Sequence, residues 1–337
     1  MQVGDLGEFA LISRLHARLQ MPSGDHVVHG IGDDCAVLRP AADMELLLTT
    51  DSQEEGVHFR RDWSSPEDIG WRCLAVNVSD IAAMGGQPLG AIVALLLPPT
   101  LDVAFIEALY DGMQAMAAAY GCPVIGGNIS QRTDTLSITI TVLGEAPLAQ
   151  SVYRSGAQVG DEIWVTGDLG GAKAGLEVLL APEVQISSPT NDVLARYRRP
   201  QPRLQEAQYL RHHAVLHSLL DISDGLSSDL RHICEASGVG AQLNASQIPI
   251  APQTQQVAAL QGAAALDYAL HGGEDFELCL TAPPDQIVPL QDTFEQQFGC
   301  PLVRVGIIRT GSGVTLAHPD GTQYPLPVGG YDHFRQA

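Results

Sequence analysis

Several features that would assign this chain to a familiar class are scarce or absent in its sequence. None of the six cysteines forms a Cys-x-x-Cys pair, and their spacing fits no zinc template. Aromatic residues make up only 5% of the chain, so its interior has to be packed mainly with aliphatic side chains. The longest apolar run, at 89–98, is too short to span a bilayer. The sequence therefore predicts an aliphatic core with buried free thiols, and no membrane span.

Basic residues are scarce as well: 18 Lys and Arg stand against 39 Asp and Glu, which gives a formal charge of −21. A surface with this charge repels nucleic acids and anionic lipids, so we expect neither a nucleic acid nor a membrane as a partner. The negative charge is compatible with a role in solubility alone. It is also compatible with phosphate binding, because bound Mg²⁺ reverses the local sign of the field.

The length of 337 residues is typical of two domains. Residues 150–160 are polar and rich in turn-forming residues, so we predict one domain over 1–148 and a second over 149–337. Hydrophobic residues make up 45% of the chain, which is enough to give each domain its own core. The N-terminal segment 1–8 is polar and acidic, unlike a secretion signal, and we expect a cytoplasmic protein.

Hydrophobic periodicity switches between helix and strand along both halves of the chain. The clearest helix covers 64–84, where Ser65 is a candidate N-cap and Gly85-Gly86 ends the apolar repeat. Further helices are predicted over 102–120, 170–180, 204–216 and 226–236. Strands are predicted over 89–97, 137–142, 163–165, 218–222, 276–281, 303–308 and 314–317. This succession predicts an α/β (α+β) fold in two domains.

Acidic residues recur at the ends of the predicted strands, beside glycine, serine or threonine. In chain order, these segments are GIGDD at 30–34, LLLTTD at 46–51, Asn77 with Asp80, and LDISDGL at 220–226 followed by Asp229. Carboxylate, hydroxyl and carbonyl oxygens are the ligands that Mg²⁺ prefers. The recurrence of one pattern favours metal-dependent phosphate chemistry over a separate structural explanation for each acid.

Each acidic segment also has a simpler interpretation. GIGDD is compatible with an ordinary Asp-rich turn, and Asp80 with a solvated strip on the helix over 64–84. Capping by Ser223 explains one acid of LDISDGL, but not two. His58, seven residues after Asp51, is compatible with a structural histidine or with a donor to a substrate phosphate.

The segment GDLGGAKA at 167–174 looks like a phosphate-binding P-loop but departs from that motif. Ala172 occupies the position of the second glycine, and Ala174 the position of the Mg²⁺-binding Ser or Thr. We therefore predict a tight turn between a strand and a helix here.

A set of motifs spread over nearly the whole chain resembles the thiamine-monophosphate kinase family, which belongs to the superfamily of aminoimidazole ribonucleotide synthetase and selenophosphate synthetase. The motifs are GIGDDCAVL (30–38), TTDSQEEGVHF (49–59), AVNVSDIAAMGG (75–86), IGGN (125–128), YRSGAQVGDEIWVTG (153–167), LDISDGLSSDL (220–230), HGGEDFEL (271–278) and GYDHF (330–334). They occur in the family's order, so the resemblance is specific.

This resemblance implies a homodimer in which the N-terminal sheets of two subunits meet in a barrel, while the C-terminal α/β domain completes the substrate site. It also implies ATP as co-substrate, thiamine monophosphate as acceptor, several Mg²⁺ ions and activation by K⁺. By position, the implied metal ligands are Asp34, Thr49, Thr50, Asp51, Asp80, Asn128, Asp221 and Asp224. The implied nucleotide contacts are Tyr110, Gly127, Asn128, Arg154 and Ser223, and the implied contacts to thiamine phosphate are His58, Glu274 and Tyr331. Asn128 replaces an aspartate of some relatives, so a metal there would be held with less charge.

Two interpretations outside this family's reaction remain open at this stage, besides another ATP-dependent reaction of the superfamily. The acidic cluster would also suit a metal-dependent phosphatase, which needs no acceptor other than water. It would equally suit a protein that binds metal and nucleotide without catalysis.

Overall fold

The structure is a computed structural model that describes residues 1–6, 8–19, 26–31, 36–181 and 190–327. The chain divides into two compact units. Unit 1 comprises Met1–Ile81 and Gly86–Ser151, and unit 2 comprises Ala82–Gly85 and Val152–Ala337. Each unit combines helices with one main sheet, which confirms the predicted α/β fold class. Across the described residues, no helix is both long and apolar enough to cross a membrane.

The N-terminal half of the chain contains four helices and six strands among the described residues. In order they are α1 (Val3–Leu6), α2 (Glu8–Arg18), β1 (Val27–His29), β2 (Val37–Leu38), β3 (Met44–Glu54), α3 (Pro66–Ala83), β4 (Gln87–Leu97), α4 (Val103–Tyr120), β5 (Val124–Gln131) and β6 (Ser137–Pro147). Helix α3 begins as predicted, because the Ser65 hydroxyl accepts a hydrogen bond from the Asp68 N–H at 3.2 Å. It ends before Gly85, which adopts a left-handed φ of +69°.

The main sheet of unit 1 has the strand order β3-β6-β4-β5. Strands β4 and β5 are parallel and α4 lies between them in the sequence, whereas β6 is antiparallel to both β3 and β4. Side chains alternate between the two faces, so Thr49 and Asp51 share a face with buried Val93 and Ile140. The opposite face is more exposed.

The C-terminal half continues with seven helices and seven strands among the described residues. In order they are β7 (Glu162–Thr166), α5 (Gly171–Leu180), α6 (Thr190–Arg198), α7 (Leu204–His213), β8 (Ser218–Asp221), α8 (Leu226–Ser237), β9 (Gly240–Asn244), α9 (Pro252–Leu260), α10 (Ala265–His271), β10 (Leu278–Ala282), α11 (Gln291–Phe298), β11 (Leu302–Arg309), β12 (Gly313–Ala317) and β13 (Gln323–Pro325). Short 3₁₀ helices cover Ala245–Gln247 and Val288–Leu290.

The sheet of unit 2 has the order β13-β12-β9-β11-β7-β10-β8. Its pairs are antiparallel except β9 with β12. Strands β7, β8 and β10 are buried along their whole length, so they carry no alternating pattern. Aliphatic side chains of the sheet, among them Val165, Leu220 and Val305, pack with Leu230 of α8 in the main core.

The structure differs from the predicted elements at several places. The strand predicted over 276–281 begins at Leu278, because Phe276 has a left-handed φ of +51° that a strand cannot accommodate. The helix predicted over 204–216 ends at His213, and the strand predicted over 137–142 continues to Pro147. Strands β5 and β9 and helices α2, α9, α10 and α11 were not predicted. The predicted turn between a strand and a helix at 167–174 is confirmed, since it joins β7 to α5.

Candidate active site

Three of the predicted metal ligands meet in unit 1, between β3 and α3. The side chains of Thr49 and Asp51 lie on the same face of β3, and the Thr49 hydroxyl donates a short hydrogen bond to the Asp80 carboxylate. Burial, and then the negative charge of Asp80, raise the pKa of Asp51 to about 6. Two carboxylates in a poorly solvated place repel each other, and a cation between them would relieve that repulsion.

The Thr50 side chain does not join this group. Successive side chains of a strand point to opposite faces, so Thr50 lies on the exposed face of the sheet. There its hydroxyl donates to the Ile140 carbonyl at 3.2 Å and accepts from the Thr141 hydroxyl at 2.9 Å. The Thr50 hydroxyl thus lies on the opposite face of β3 from the side chains of Thr49 and Asp51.

Three predicted nucleotide contacts line one small cleft of unit 1. Tyr110 of α4 faces Gly127 and Asn128 of β5 across a space of about 70 Å³, which Leu15 and Leu19 of α2 border. Only glycine fits at position 127, because a Cβ atom there would lie 2.1 Å from the Val93 carbonyl oxygen. The cleft is mainly apolar at its walls, with the Asn128 amide as a polar group within it.

Ion pairs hold α2 against α4 beside this cleft. Arg14 pairs with Glu107, and the Arg18 guanidinium donates to both carboxylate oxygens of Asp111 at 2.7 Å. Glu107 and Asp111 flank Tyr110 on the helix, so these pairs keep the apolar side chains of α2 next to it.

His58 lies in the turn that follows β3. Its Nδ1 accepts a hydrogen bond from the Glu54 backbone N–H at 3.0 Å. In the neutral ring the proton is therefore on Nε2, which makes that nitrogen a donor. A donor of this kind suits a phosphate oxygen.

The acidic residues of unit 2 gather where β8 ends and α8 begins. Asp221 is the last residue of β8, and the Asp229 carboxylate in the first turn of α8 accepts the Asp224 N–H at 3.0 Å. Burial, followed by the charges of Asp221 and Asp224, raises the pKa of Asp229 to about 8. The structure thus brings the two predicted ligands of unit 2 together and adds Asp229 to them.

Ser223 and Glu274 also come together, through backbone contacts. The Glu274 N–H donates to the Ser223 carbonyl at 2.7 Å, and the Phe276 N–H donates to the Ile222 carbonyl at 2.9 Å. Glu274 and Phe276 both adopt left-handed φ values, of +71° and +51°, which are costly for residues with a side chain. The loop over 271–277 is therefore held in a strained conformation beside the Asp221–Asp224 segment.

Two buried acids that the sequence analysis missed hold this loop. The Asp275 carboxylate accepts the N–H groups of Gly170 at 2.6 Å and Ala172 at 3.0 Å, where α5 begins. Glu277 accepts hydrogen bonds from Arg196 at 2.8 Å and from Arg203 at 2.6 Å. One signal could have revealed them: Asp275 and Glu277 alternate with apolar residues beside a predicted buried strand, and buried carboxylates require partners.

Arg154 lies in a loop that one serine holds. The Ser237 hydroxyl accepts the Gly156 and Ala157 N–H groups, both at 3.1 Å, and donates to the Arg154 carbonyl at 3.4 Å. Ser237 ends α8, whereas Ser223 precedes its start, and a helix of 12 residues is about 18 Å long. The Arg154 backbone therefore lies near the end of α8, and Ser223 lies near its start.

Two predicted site residues, Asp34 and Tyr331, lie outside the described residues. Among the residues that are described, no three His, Cys, Asp or Glu side chains are arranged so that they could hold a metal ion by themselves. Asp51 and Asp80 would therefore be two of several oxygen ligands in a cation site between β3 and α3.

Comparisons with known proteins agree over nearly the whole chain. Residues 32–146 match the N-terminal domain of AIR synthase related protein, and residues 158–318 match its C-terminal domain. Thiamine-monophosphate kinase of Aquifex aeolicus is 34% identical over 99% of this chain and 100% of its own length. The Salmonella typhimurium enzyme of the same name is 38% identical, over 97% of this chain and 98% of its own. A solved structure described as AaThiL complexed with AMPPCP and TMP is 34% identical, covers 99% of both chains and superposes with a TM-score of 0.78.

Proposed function

We propose that this chain, which belongs to the thiamine-monophosphate kinase family of the AIR synthase related proteins, transfers the terminal phosphoryl group of ATP to thiamine monophosphate and so makes thiamine diphosphate. The observation that carries this proposal is the similarity to a relative solved with AMPPCP and TMP, over 99% of both chains. Because the match covers 99% of both chains, both units of this chain have counterparts in that relative.

The chemistry needs little help from a general base. The second pKa of a phosphate monoester is about 6, so the acceptor is largely deprotonated at neutral pH and is already a nucleophile. The main obstacle is repulsion between two anions that have to approach in line. A site that supplies cation ligands and hydrogen-bond donors, rather than a nucleophilic side chain, suits this reaction.

Oxygen atoms at two places fit Mg²⁺. Asp51, Asp80 and Thr49 would hold it in unit 1, and Asp221 and Asp224 would hold it in unit 2. When bound, Mg²⁺ neutralises phosphate charge and orients the transferring group. The raised pKa values of Asp51 and Asp229 support this assignment, since carboxylates crowded without a counter-charge are what a cation site looks like before the cation binds.

We assign the remaining predicted residues to the binding of nucleotide, metal or thiamine phosphate. Tyr110 and Gly127 form the nucleotide cleft, and the Asn128 amide oxygen offers a weaker metal ligand than a carboxylate would. In unit 2, Arg154 and the Ser223 loop contact phosphate groups. His58, through Nε2–H, and Glu274 contact thiamine phosphate. Asp34 and Tyr331 keep their predicted roles as metal ligand and substrate contact.

A homodimer is part of the proposal. The face of the unit 1 sheet that carries Thr50 also exposes Leu46, Leu48, Ile92 and Leu96, with Leu48 72% exposed. An apolar sheet face of this kind is typical of an interface, and a barrel formed with a second copy would cover it. We assign nucleotide binding and dimerisation to residues 1–148 and completion of the substrate site to 149–337, in a cytoplasmic enzyme that K⁺ activates.

The decisive experiment is incubation of the full-length chain with ATP, Mg²⁺, K⁺ and thiamine monophosphate, followed by chromatography of the thiamine phosphates. We expect one thiamine diphosphate and one ADP for each ATP consumed. Free phosphate in place of thiamine diphosphate would indicate a phosphatase, and nucleotide binding without turnover would indicate a non-catalytic binder. Either result would contradict the proposal.

A further inference from the structure

Two buried amide oxygens of unit 1 accept no hydrogen bond from any residue that the structure describes. They are Oδ1 of Asn77, a residue that is 0% exposed, and Oε1 of Gln53, which is 7% exposed. Leaving such a group without a partner in a protein interior destabilises the fold. An unpartnered buried oxygen in a native structure therefore calls for an explanation, such as a bound ion or water.

Both oxygens belong to the elements that carry the acidic pair. Asn77 lies three residues before Asp80 on α3, so the two side chains are on one face of the helix. Gln53 lies two residues after Asp51 on β3, so these side chains share the face that is turned towards α3. The hydrogen bond from Thr49 to Asp80 fixes how strand and helix face each other.

Asp51 lies near the part of α3 that carries Asn77. Its Nδ2 donates to the carbonyl of Cys73, one turn earlier on α3, at 3.1 Å. Burial and, in smaller measure, the Asp51 carboxylate raise the pKa of the Cys73 thiol to about 12, so Asp51 is near Cys73 as well as near Asp80. Asn77 lies between Cys73 and Asp80 on the same face of the helix.

The orientation of the Asn77 amide is settled by the same contact. Nδ2 has to face the Cys73 carbonyl, because a flipped amide would place two oxygens against each other. Oδ1 then points away from the Cys73 carbonyl. Apart from the Thr49 hydroxyl that donates to Asp80, the oxygens of Asn77, Asp51 and Asp80 are acceptors, and a cation with its bound water satisfies acceptors without needing a protein donor.

We propose that the amide oxygen of Asn77 is a further oxygen of the cation site that Asp51 and Asp80 form, and that it binds a divalent ion or a water molecule of its coordination shell. This inference rests on the proposed metal role of the acidic pair. It adds one protein oxygen to a site with only two described carboxylates, where water and phosphate oxygens would complete the octahedral shell of Mg²⁺. Gln53 extends the same row of oxygens along β3.

The test is a titration of the full-length chain with Mn²⁺, in which electron paramagnetic resonance measures the free ion. Two nearly isosteric variants separate the two halves of the amide. Asn77→Leu removes both the oxygen and the N–H group, and we expect it to weaken Mn²⁺ binding about 10- to 100-fold. Asn77→Asp keeps an oxygen but loses the donor to Cys73, and we expect affinity within about threefold of the unsubstituted chain, or tighter.

Gln261→Leu is the matched control. Gln261 also has a buried amide atom without a described partner, but it lies in unit 2, far along the chain from the acidic pair, and its replacement should leave Mn²⁺ binding unchanged. Equal losses in Asn77→Leu and Asn77→Asp would assign the residue to the hydrogen bond with Cys73 and overturn the proposal. Unchanged binding in Asn77→Leu, or no Mn²⁺ binding by the unsubstituted chain, would overturn it as well.

Folding and function are kept apart by two further measurements. If Asn77→Leu does not fold, the test uses Asn77→Asp alone. We then expect Mn²⁺ to raise the urea midpoint of this variant, because an ion that binds the folded state stabilises it. A midpoint that Mn²⁺ does not raise in this variant contradicts the proposal. If the chain binds Mn²⁺ through Asn77 but makes no thiamine diphosphate, the proposed function is wrong and the proposed cation site is still supported.

Discussion

The two acidic groups of this protein are held in different ways. In unit 1, Thr49, Asp51 and Asp80 project from an unbroken strand and an unbroken helix, whose geometry places them without strain. In unit 2, the segment over 221–225 faces a loop in which two residues with side chains adopt left-handed φ values. Each such residue costs about 1–3 kcal/mol and persists only when its surroundings impose it. Regular elements position the first group, whereas buried ion pairs from distant parts of the chain position the second.

Glu277→Gln should have the largest effect, because it removes the buried negative charge that pairs with both Arg196 and Arg203. The two guanidinium groups would keep only their longer contacts, to Asp168 at 3.8 Å and Glu206 at 3.3 Å, and we expect the free energy of unfolding to fall by about 5 kcal/mol. Urea unfolding followed by circular dichroism measures this. Glu295→Gln, at an exposed position of α11, should change it by less than about 0.5 kcal/mol. If Glu277→Gln changes the free energy of unfolding only slightly, buried ion pairs do not position the acidic group of unit 2, and the proposed contrast with unit 1 is wrong.

Asp51→Ala or Asp80→Ala should abolish most activity while the fold survives. We expect turnover to fall about 1000-fold, equivalent to about 4 kcal/mol, because a cation ligand is lost from a site that regular elements hold in place. Steady-state kinetics with ATP, Mg²⁺ and thiamine monophosphate checks the rate, and circular dichroism checks the fold. Asp62→Asn, a surface carboxylate paired with Arg60, serves as control. Near-normal activity in either alanine variant would show that the site assignment is wrong.

We predict that the free energy of unfolding depends on pH through the Asp275 carboxyl group. Burial raises its pKa from an ordinary 3.8 to about 7 despite two backbone donors. The folded chain then binds more protons than the unfolded chain between these values, so the free energy of unfolding should fall as pH rises from about 4 to about 7, by about 4 kcal/mol from this group. Urea unfolding across that range, compared with Asp275→Asn, isolates the contribution. The same slope in both proteins would contradict it.

Ser237→Ala should have the smallest effect. It removes three hydrogen bonds from the loop of Arg154, and we expect the KM for ATP to rise about fivefold, or about 1 kcal/mol, with little change in kcat. In an Arg154→Ala background the substitution should add nothing further, because both changes act through one guanidinium. Additive effects would show that Ser237 acts elsewhere. Ser312→Ala, at an exposed turn, is the control.

The contrast between the units also accounts for the success and failure of the sequence analysis. Helix α3, strand β4 and helix α4 lie within two residues of their predicted bounds, because hydrophobic period and end signals are local properties of the chain. The family motifs are also local properties, because each is a short run of consecutive residues, and their order along the chain indicated the family. The strand prediction at 276 failed because the left-handed conformation of Phe276 leaves no local signature.

By itself, then, the sequence determined the fold class, about half of the element positions and the residue types available for phosphate chemistry. Tertiary structure alone decided that Thr49 and not Thr50 faces Asp80, that Asp275 reaches a backbone N–H 105 residues away, and that the Asn77 amide oxygen is buried without a hydrogen bond from the described residues. The physical reason is distance along the chain. A helix or strand is specified by neighbours a few residues apart, whereas a buried charge is specified by a partner that only the completed fold brings into contact.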